Sequence, residues 1–126
     1  MDTRTKIVSP EEARRRIAML RARGWRTLAA PAYLDPMLPQ HISQMARVVG
    51  EAKLTVVIAT PEDAFLPAQA RAELAASLSF VDLVVIGNGD PHHLAQSLGV
   101  DQTVSLLELE SLRRKNFVEY VKERVE

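Results

Sequence analysis

Residues 26–47 read RTLAAPAYLDPMLPQHISQMAR, and this stretch decides the fold. It opens on a short apolar strand, residues 25–30. A turn punctuated by Pro31, Pro36 and Pro39 follows, and an amphipathic helix begins near Gln40 and His41. A strand, a turn and a helix in that order make the first part of a βαβ unit. There the carboxyl end of the strand faces the amino end of the helix, whose free N–H groups favour anions. The junction from Asp35 to His41 is therefore where a ligand is expected.

Two runs downstream repeat the pattern. Leu54-Thr-Val-Val-Ile-Ala59 and Val81-Asp-Leu-Val-Val-Ile86 are almost continuously apolar and β-branched, as strands of a parallel sheet are when both faces are covered. The helix before the first run carries Ile42, Met45, Val48 and Val49 on one side and ends near Gly50. The one between the runs, residues 67–78, is alanine-rich and expected to pack through Ala70, Leu74 and Leu78. Pro91 opens a short helix that stops at Gly99, residues 104–107 suggest an edge strand, and residues 108–125 suggest a charged helix with Leu109, Leu112, Phe117, Tyr120 and Val121 as its apolar positions.

Upstream, Ser9-Pro10-Glu11-Glu12 marks a helix start. Ser9 caps, Pro10 takes the first position and Glu12 completes a capping box. Ala13, Ile17 and Leu20 share a face, and Gly24 ends the helix. Strands alternating with helices imply right-handed crossovers and a parallel sheet with helices on both faces. The expectation is one Rossmann-like α/β domain over residues 1–126. It comprises a helical region 1–24, a core 25–107 and a terminal helix 108–126.

Of the 126 residues, 47% are apolar and 25% charged, and 16 basic side chains balance 16 acidic ones. That is a globular composition with no charge bias towards nucleic acid or a membrane surface, and neither partner is expected. The absence of cysteine excludes disulfides, thiolate catalysis and zinc–cysteine sites within these residues. No apolar signal core opens the chain and no run is long enough to span a bilayer, so a cytoplasmic protein is expected. Arg14, Arg15, Arg16, Arg21 and Arg23 read as a solvated helix face. His92 and His93 are adjacent and point about 100° apart on a helix, so they do not suit one metal. Asp90 as a cap before Pro91 accounts for that stretch. Gly87 and Gly89 lack the third glycine of a dinucleotide fingerprint.

The residues also resemble a known family, the cytidylyltransferase-like nucleotidyltransferases, and most nearly the nucleotidyltransferase domain of bacterial ADP-heptose synthases. The likeness begins at Lys6-Ile-Val-Ser-Pro-Glu-Glu12 and continues through the Asp35 to His41 turn. It is strongest at Arg71-Ala-Glu-Leu-Ala-Ala-Ser-Leu-Ser-Phe-Val-Asp-Leu-Val-Val-Ile86, and it covers roughly residues 5–100. It implies the HIGH-superfamily type of Rossmann-like domain and a nucleotide site. His41 would be the catalytic residue, and Asp35, Gln40, His41 and Arg71 would bind the nucleotide or its phosphates, with magnesium and CTP or ATP as co-reactants. The implied chemistry is attack of a substrate phosphate on the nucleotide α-phosphate with loss of pyrophosphate.

The chain departs from the family at its motifs. Asn-Gly-x-Phe-Asp is replaced by Pro31-Ala32-Tyr33-Leu34-Asp35, and His-x-Gly-His by Leu38-Pro39-Gln40-His41. A lysine-bearing loop becomes Glu62-Asp-Ala-Phe-Leu-Pro67, and a hydroxyl-rich turn becomes Arg113-Arg-Lys-Asn-Phe117. Gln40 places a side chain where close approach of phosphate to backbone needs none.

Three readings follow. The first is a degenerate, non-catalytic member that binds nucleotide or phosphate weakly and serves a binding or regulatory role, with a second copy or another protein as partner. The second is an active enzyme transferring CMP or AMP to a sugar or polyol phosphate, using His41, Arg71 and residues 113–115. The third is a structural or interaction protein whose crevice is filled by Tyr33, Leu34, Met37 and Leu38. For single residues, Asp35 either holds a metal or fixes its turn. Arg71 either meets a triphosphate or pairs on the surface with Glu62, Asp63 or Glu73.

Overall fold

A strand buried on both faces must be apolar at consecutive positions, and two stretches of this chain satisfy that at nearly every residue. The computed structural model describes residues 3–35, 39–60, 64–87 and 89–107. Its elements run α1 (Pro10–Ala22), β1 (Thr27–Ala32), α2 (Pro39–Val49), β2 (Lys53–Ile58), α3 (Ala68–Ala76), β3 (Leu83–Ile86), α4 (Pro91–Ser97) and β4 (Gln102–Thr103), after a 3-10 turn at Thr3–Lys6. The strands form one four-stranded sheet in the order β3-β2-β1-β4, and every pairing is parallel. This is the Rossmann-like α/β arrangement that the alternation of strands and helices implies.

Alternate strand residues feed two cores. Leu28, Ala30 and Ala32 of β1, Leu54, Val56 and Ile58 of β2 and Val84 of β3 pack with Met45 and Val49 of α2 and Ala72, Ala75 and Ala76 of α3. Ala29, Val57, Leu83 and Val85 point the other way and pack with Ala13 and Ile17 of α1 and Ala95 of α4. The chain steps outward from β1 to β2 to β3, then returns across β1 to β4. With crossovers of one hand, that reversal puts α4 on the face opposite α2 and α3. Each fully buried Val, Leu or Ile of these strands stabilises by on the order of 1.5–3 kcal/mol relative to exposure.

Both ends of α1 are set by sequence. The Ser9 hydroxyl accepts from the Glu12 N–H at 3.2 Å. At the other end Gly24 takes φ +88°, its N–H donates to Arg21, and the Trp25 N–H donates to Leu20, which is the Schellman pattern. The Glu12 carboxylate, expected to reach back to the cap, instead pairs with Arg15 and with Arg16 Nε at 2.8 Å.

Several expectations are corrected. β1 extends to Ala32 and includes Pro31. Thr27, Ala29 and Pro31 turn their carbonyls towards the β4 side, so the missing N–H of Pro31 faces the region beyond Thr103, where that ladder has ended. β4 lies at Gln102–Thr103 rather than at residues 104–107. Val48 is exposed on α2. The buried face of α3 is Arg71, Ala72, Ala75 and Ala76, while Leu74 is exposed. Small residues let α3 lie close on the sheet, and the rotation that buries Arg71 swings Leu74 roughly 130° from the centre of the buried face. The terminal helix expected over residues 108–125 lies outside the described residues.

Candidate functional site

In an open parallel sheet, ligands bind outside the carboxyl ends of the strands, where the strand order reverses. Here that crevice lies beyond β1, with the segment after β4 on one side and the loop after β2 on the other. Asp35 and Arg71 both lie at this end of the sheet and both bond Leu66.

Arg71 stands in the first turn of α3. Helical side chains lean towards the amino terminus of their helix, and the amino end of α3 adjoins the strand ends. The guanidinium therefore points back into the crevice. None of its surface is exposed. Nε donates to the Leu66 carbonyl at 3.1 Å, one terminal nitrogen donates to the Tyr33 carbonyl at 2.9 Å and to the Ala59 carbonyl, and the other donates to the Thr60 hydroxyl at 3.1 Å. These acceptors belong to the segments following β1 and β2, whose last carbonyls have no further strand to meet. The buried cation is stabilised by a ring of oxygen dipoles. Of the two roles weighed for Arg71, surface pairing is corrected only in that the side chain is buried rather than at the surface; Glu62 and Asp63 lie outside the described residues.

Asp35 mirrors it. The residue is 2% exposed. Its two carboxylate oxygens accept the backbone N–H groups of Phe65 and Leu66, each at 2.7 Å. Leu66 is therefore held through both of its flanking peptides, its N–H by Asp35 and its carbonyl by Arg71. This geometry shows Asp35 bracing the loop at Phe65 and Leu66, a role the sequence reading did not weigh.

Leu34 is completely buried and adopts φ +52°, a left-handed conformation that costs a residue with a Cβ about 1 kcal/mol. Its burial in the core under α2 and α3 holds it there. Tyr33 is half-buried, and Met37 and Leu38 lie outside the described residues. Gln40 is exposed in the first turn of α2; His41 follows it on the same turn, with its side chain outside the described set. At the end of β3, Gly87 comes so close to β2 that a Cβ there would sit 2.8 Å from the Ile58 carbonyl oxygen. Its missing side chain serves strand packing. Among the described residues no group of three or more His, Cys, Asp or Glu side chains is placed to hold a metal. Both Asp35 oxygens already accept backbone N–H groups.

The opposite end of the sheet carries a device that sequence reasoning missed. Asp82 donates its N–H to the Leu54 carbonyl and accepts the Leu54 N–H on its carboxylate, both at 2.9 Å. Asp101 does the same to Thr27, at 3.1 and 2.9 Å. Each aspartate precedes a strand and brackets the start of the neighbouring one. The signal was an acid just ahead of an apolar strand, and only tertiary pairing gives it meaning. The Thr27 N–H and hydroxyl, and then Arg21, hold the Asp101 carboxyl below its ordinary value. Hydrogen bonds from Arg15 and Arg16 lower Glu12 to about 2.

Both folded-state values are depressed, so the unfolded chain binds these protons first. Their stabilisation is complete above the ordinary values of 3.8 and 4.5 and is lost as pH falls through the folded ones. The melting temperature should begin to drop near pH 4.5 and continue to fall towards about 2. An Asp101→Asn variant, followed by circular dichroism, should show a shallower decline. An unchanged decline would remove Asp101 from the account.

The described fold defines a class: a parallel, Rossmann-like α/β unit whose switch-point crevice is braced by a buried arginine and a buried aspartate. Comparison with protein-family models and with curated proteins finds no match for this chain. Among the described residues no helix is long and apolar enough to cross a membrane.

Proposed function

We propose that this chain is a nucleotidyltransferase-like domain that has left catalysis and serves a binding or regulatory role. One observation carries the reading. The arginine that the family resemblance would assign to the triphosphate is completely buried, and it donates to three backbone carbonyls and a threonine hydroxyl. Phosphoryl chemistry depends on positioned cations that neutralise developing charge. A guanidinium wrapped in its own chain's carbonyls would have to break the loop structure to meet a phosphate. The same holds for Asp35, whose oxygens already brace Phe65 and Leu66. The buried Leu34 and the replacement of the first histidine and the glycine of His-x-Gly-His by Leu38 and Gln40 support the same conclusion.

The purified chain should release no pyrophosphate from CTP or ATP with magnesium when sugar phosphates or polyol phosphates are offered. Calorimetric titration with the same nucleotides should show no heat that depends on His41. Pyrophosphate release abolished by His41→Ala would sink the proposal and restore an active enzyme with a rebuilt site.

A further inference from the structure

At the amino end of the sheet, opposite the crevice, α1 and the carboxyl end of α4 border an open groove of about 900 Å³, with Arg14, Arg21, Trp25, Arg26, Ser97 and Asp101 in its lining. That volume lies within the range of small-molecule sites. Three guanidinium groups and one carboxylate leave it with an excess of positive charge.

Each arginine is held in place by bonds that use part of its donor fork. Arg14 donates from Nε to the Ser97 carbonyl at 3.1 Å and from a terminal nitrogen to the Ser97 hydroxyl at 3.2 Å. Arg21 donates to the Gly99 carbonyl and pairs with Asp101, each at 3.0 Å. Arg26 donates to the Gln102 side-chain oxygen at 2.7 Å. Arg14 thereby covers the last carbonyl of α4 and Arg21 one just beyond the helix, where the negative end of α4 would otherwise face an incoming anion. Capping of α4 accounts for those two side chains. It does not account for Arg26, which caps no helix and has no carboxylate partner among the described residues.

Nor does it account for Trp25, a large aromatic that stays 43% exposed beside the arginines. Lys53 Nζ stands 4.2 Å from the ring centroid. Lys53 lines a different hollow, with Met19 and Asp82, so the groove meets the indole elsewhere. Guanidinium forks match phosphate oxygens, and an exposed indole offers a stacking surface to a flat ring. We propose that this groove binds a phosphate ester of a flat heteroaromatic, of the nucleoside mono- or diphosphate class. The phosphate meets Arg14, Arg21 and Arg26, and the ring lies on Trp25. The site is separate from the crevice and stands independently of how the crevice functions.

Trp25 is the only tryptophan in the chain, so intrinsic fluorescence reports on the groove directly. The full chain is titrated with AMP and ADP without magnesium, and with adenosine and pyrophosphate as the two halves of the ligand. A saturable change with AMP or ADP is expected, with adenosine and pyrophosphate each at least about tenfold weaker. Arg26→Ala should weaken AMP binding about tenfold, as loss of one charge-assisted contact implies, while its melting temperature stays at the parent value. No saturable change, or equal responses to AMP and adenosine, would overturn the proposal. So would binding lost in His41→Ala instead of Arg26→Ala, which places the ligand in the crevice.

Discussion

Replacing Arg71 with methionine is expected to destabilise the chain by about 3–5 kcal/mol, read as a lower midpoint in urea with an unchanged slope. Methionine fills much of the volume, so the loss is mainly polar. The Leu66, Tyr33 and Ala59 carbonyls and the Thr60 hydroxyl lose their buried donor together. An unsatisfied acceptor costs about 1–3 kcal/mol where it is buried, as at Ala59, and less where water reaches it, as at Thr60, and such penalties do not add fully within one network. Natural domains have a total stability of about 5–15 kcal/mol, so the variant stands near its folding limit. Arg71→Lys keeps the charge but replaces a planar fork by a single point, and should recover only part of the loss. A methionine variant within 1 kcal/mol of the parent would show that the buried guanidinium does not brace the crevice.

Asp35→Ala is expected to cost about 1–3 kcal/mol, because two part-buried N–H groups, those of Phe65 and Leu66, lose their acceptor. Asparagine is a sharper probe, since its carboxamide keeps one acceptor and turns a donor towards the second N–H. It should fall between alanine and the parent. Because Leu66 is gripped by Asp35 at its N–H and by Arg71 at its carbonyl, the two substitutions should not be additive. A double-mutant cycle should return a coupling energy of about 0.5–3 kcal/mol. Additivity within error would mean that the two residues brace separate loops.

The helix boundaries and the sheet are the parts that sequence makes legible. Ser9 and Pro10, Asp90 and Pro91, and the apolar runs that become β2 and β3 are local signals, and local signals suffice for them. The face of α3 is not legible, because alanines on nearly every side leave no hydrophobic direction to read. Nor is the fate of Arg71. A lone arginine on a helix reads as a surface cation until the fold brings the strand-end carbonyls of two different loops within its reach. Asp35 is recognisable as a turn residue, yet its partners lie 30 and 31 residues away. The basic groove joins side chains of α1 to a helix end more than 70 residues distant, which is why the arginine run reads in one dimension as mere solvated charge.

The lead-in before α1 has a consequence for how this protein behaves in company. Ile7 bridges Val84 in parallel, and the Val8 N–H donates to the Val84 carbonyl at 2.9 Å. β3, Leu83–Ile86, is the outermost full strand on that side, an apolar and largely β-branched segment of the kind that recruits other chains when its edge is bare. Ile7 and Val8 cover that edge at Val84. Trimming them would uncover a sticky seam, so a truncated or tagged preparation that precipitates would be reporting the loss of a guard strand.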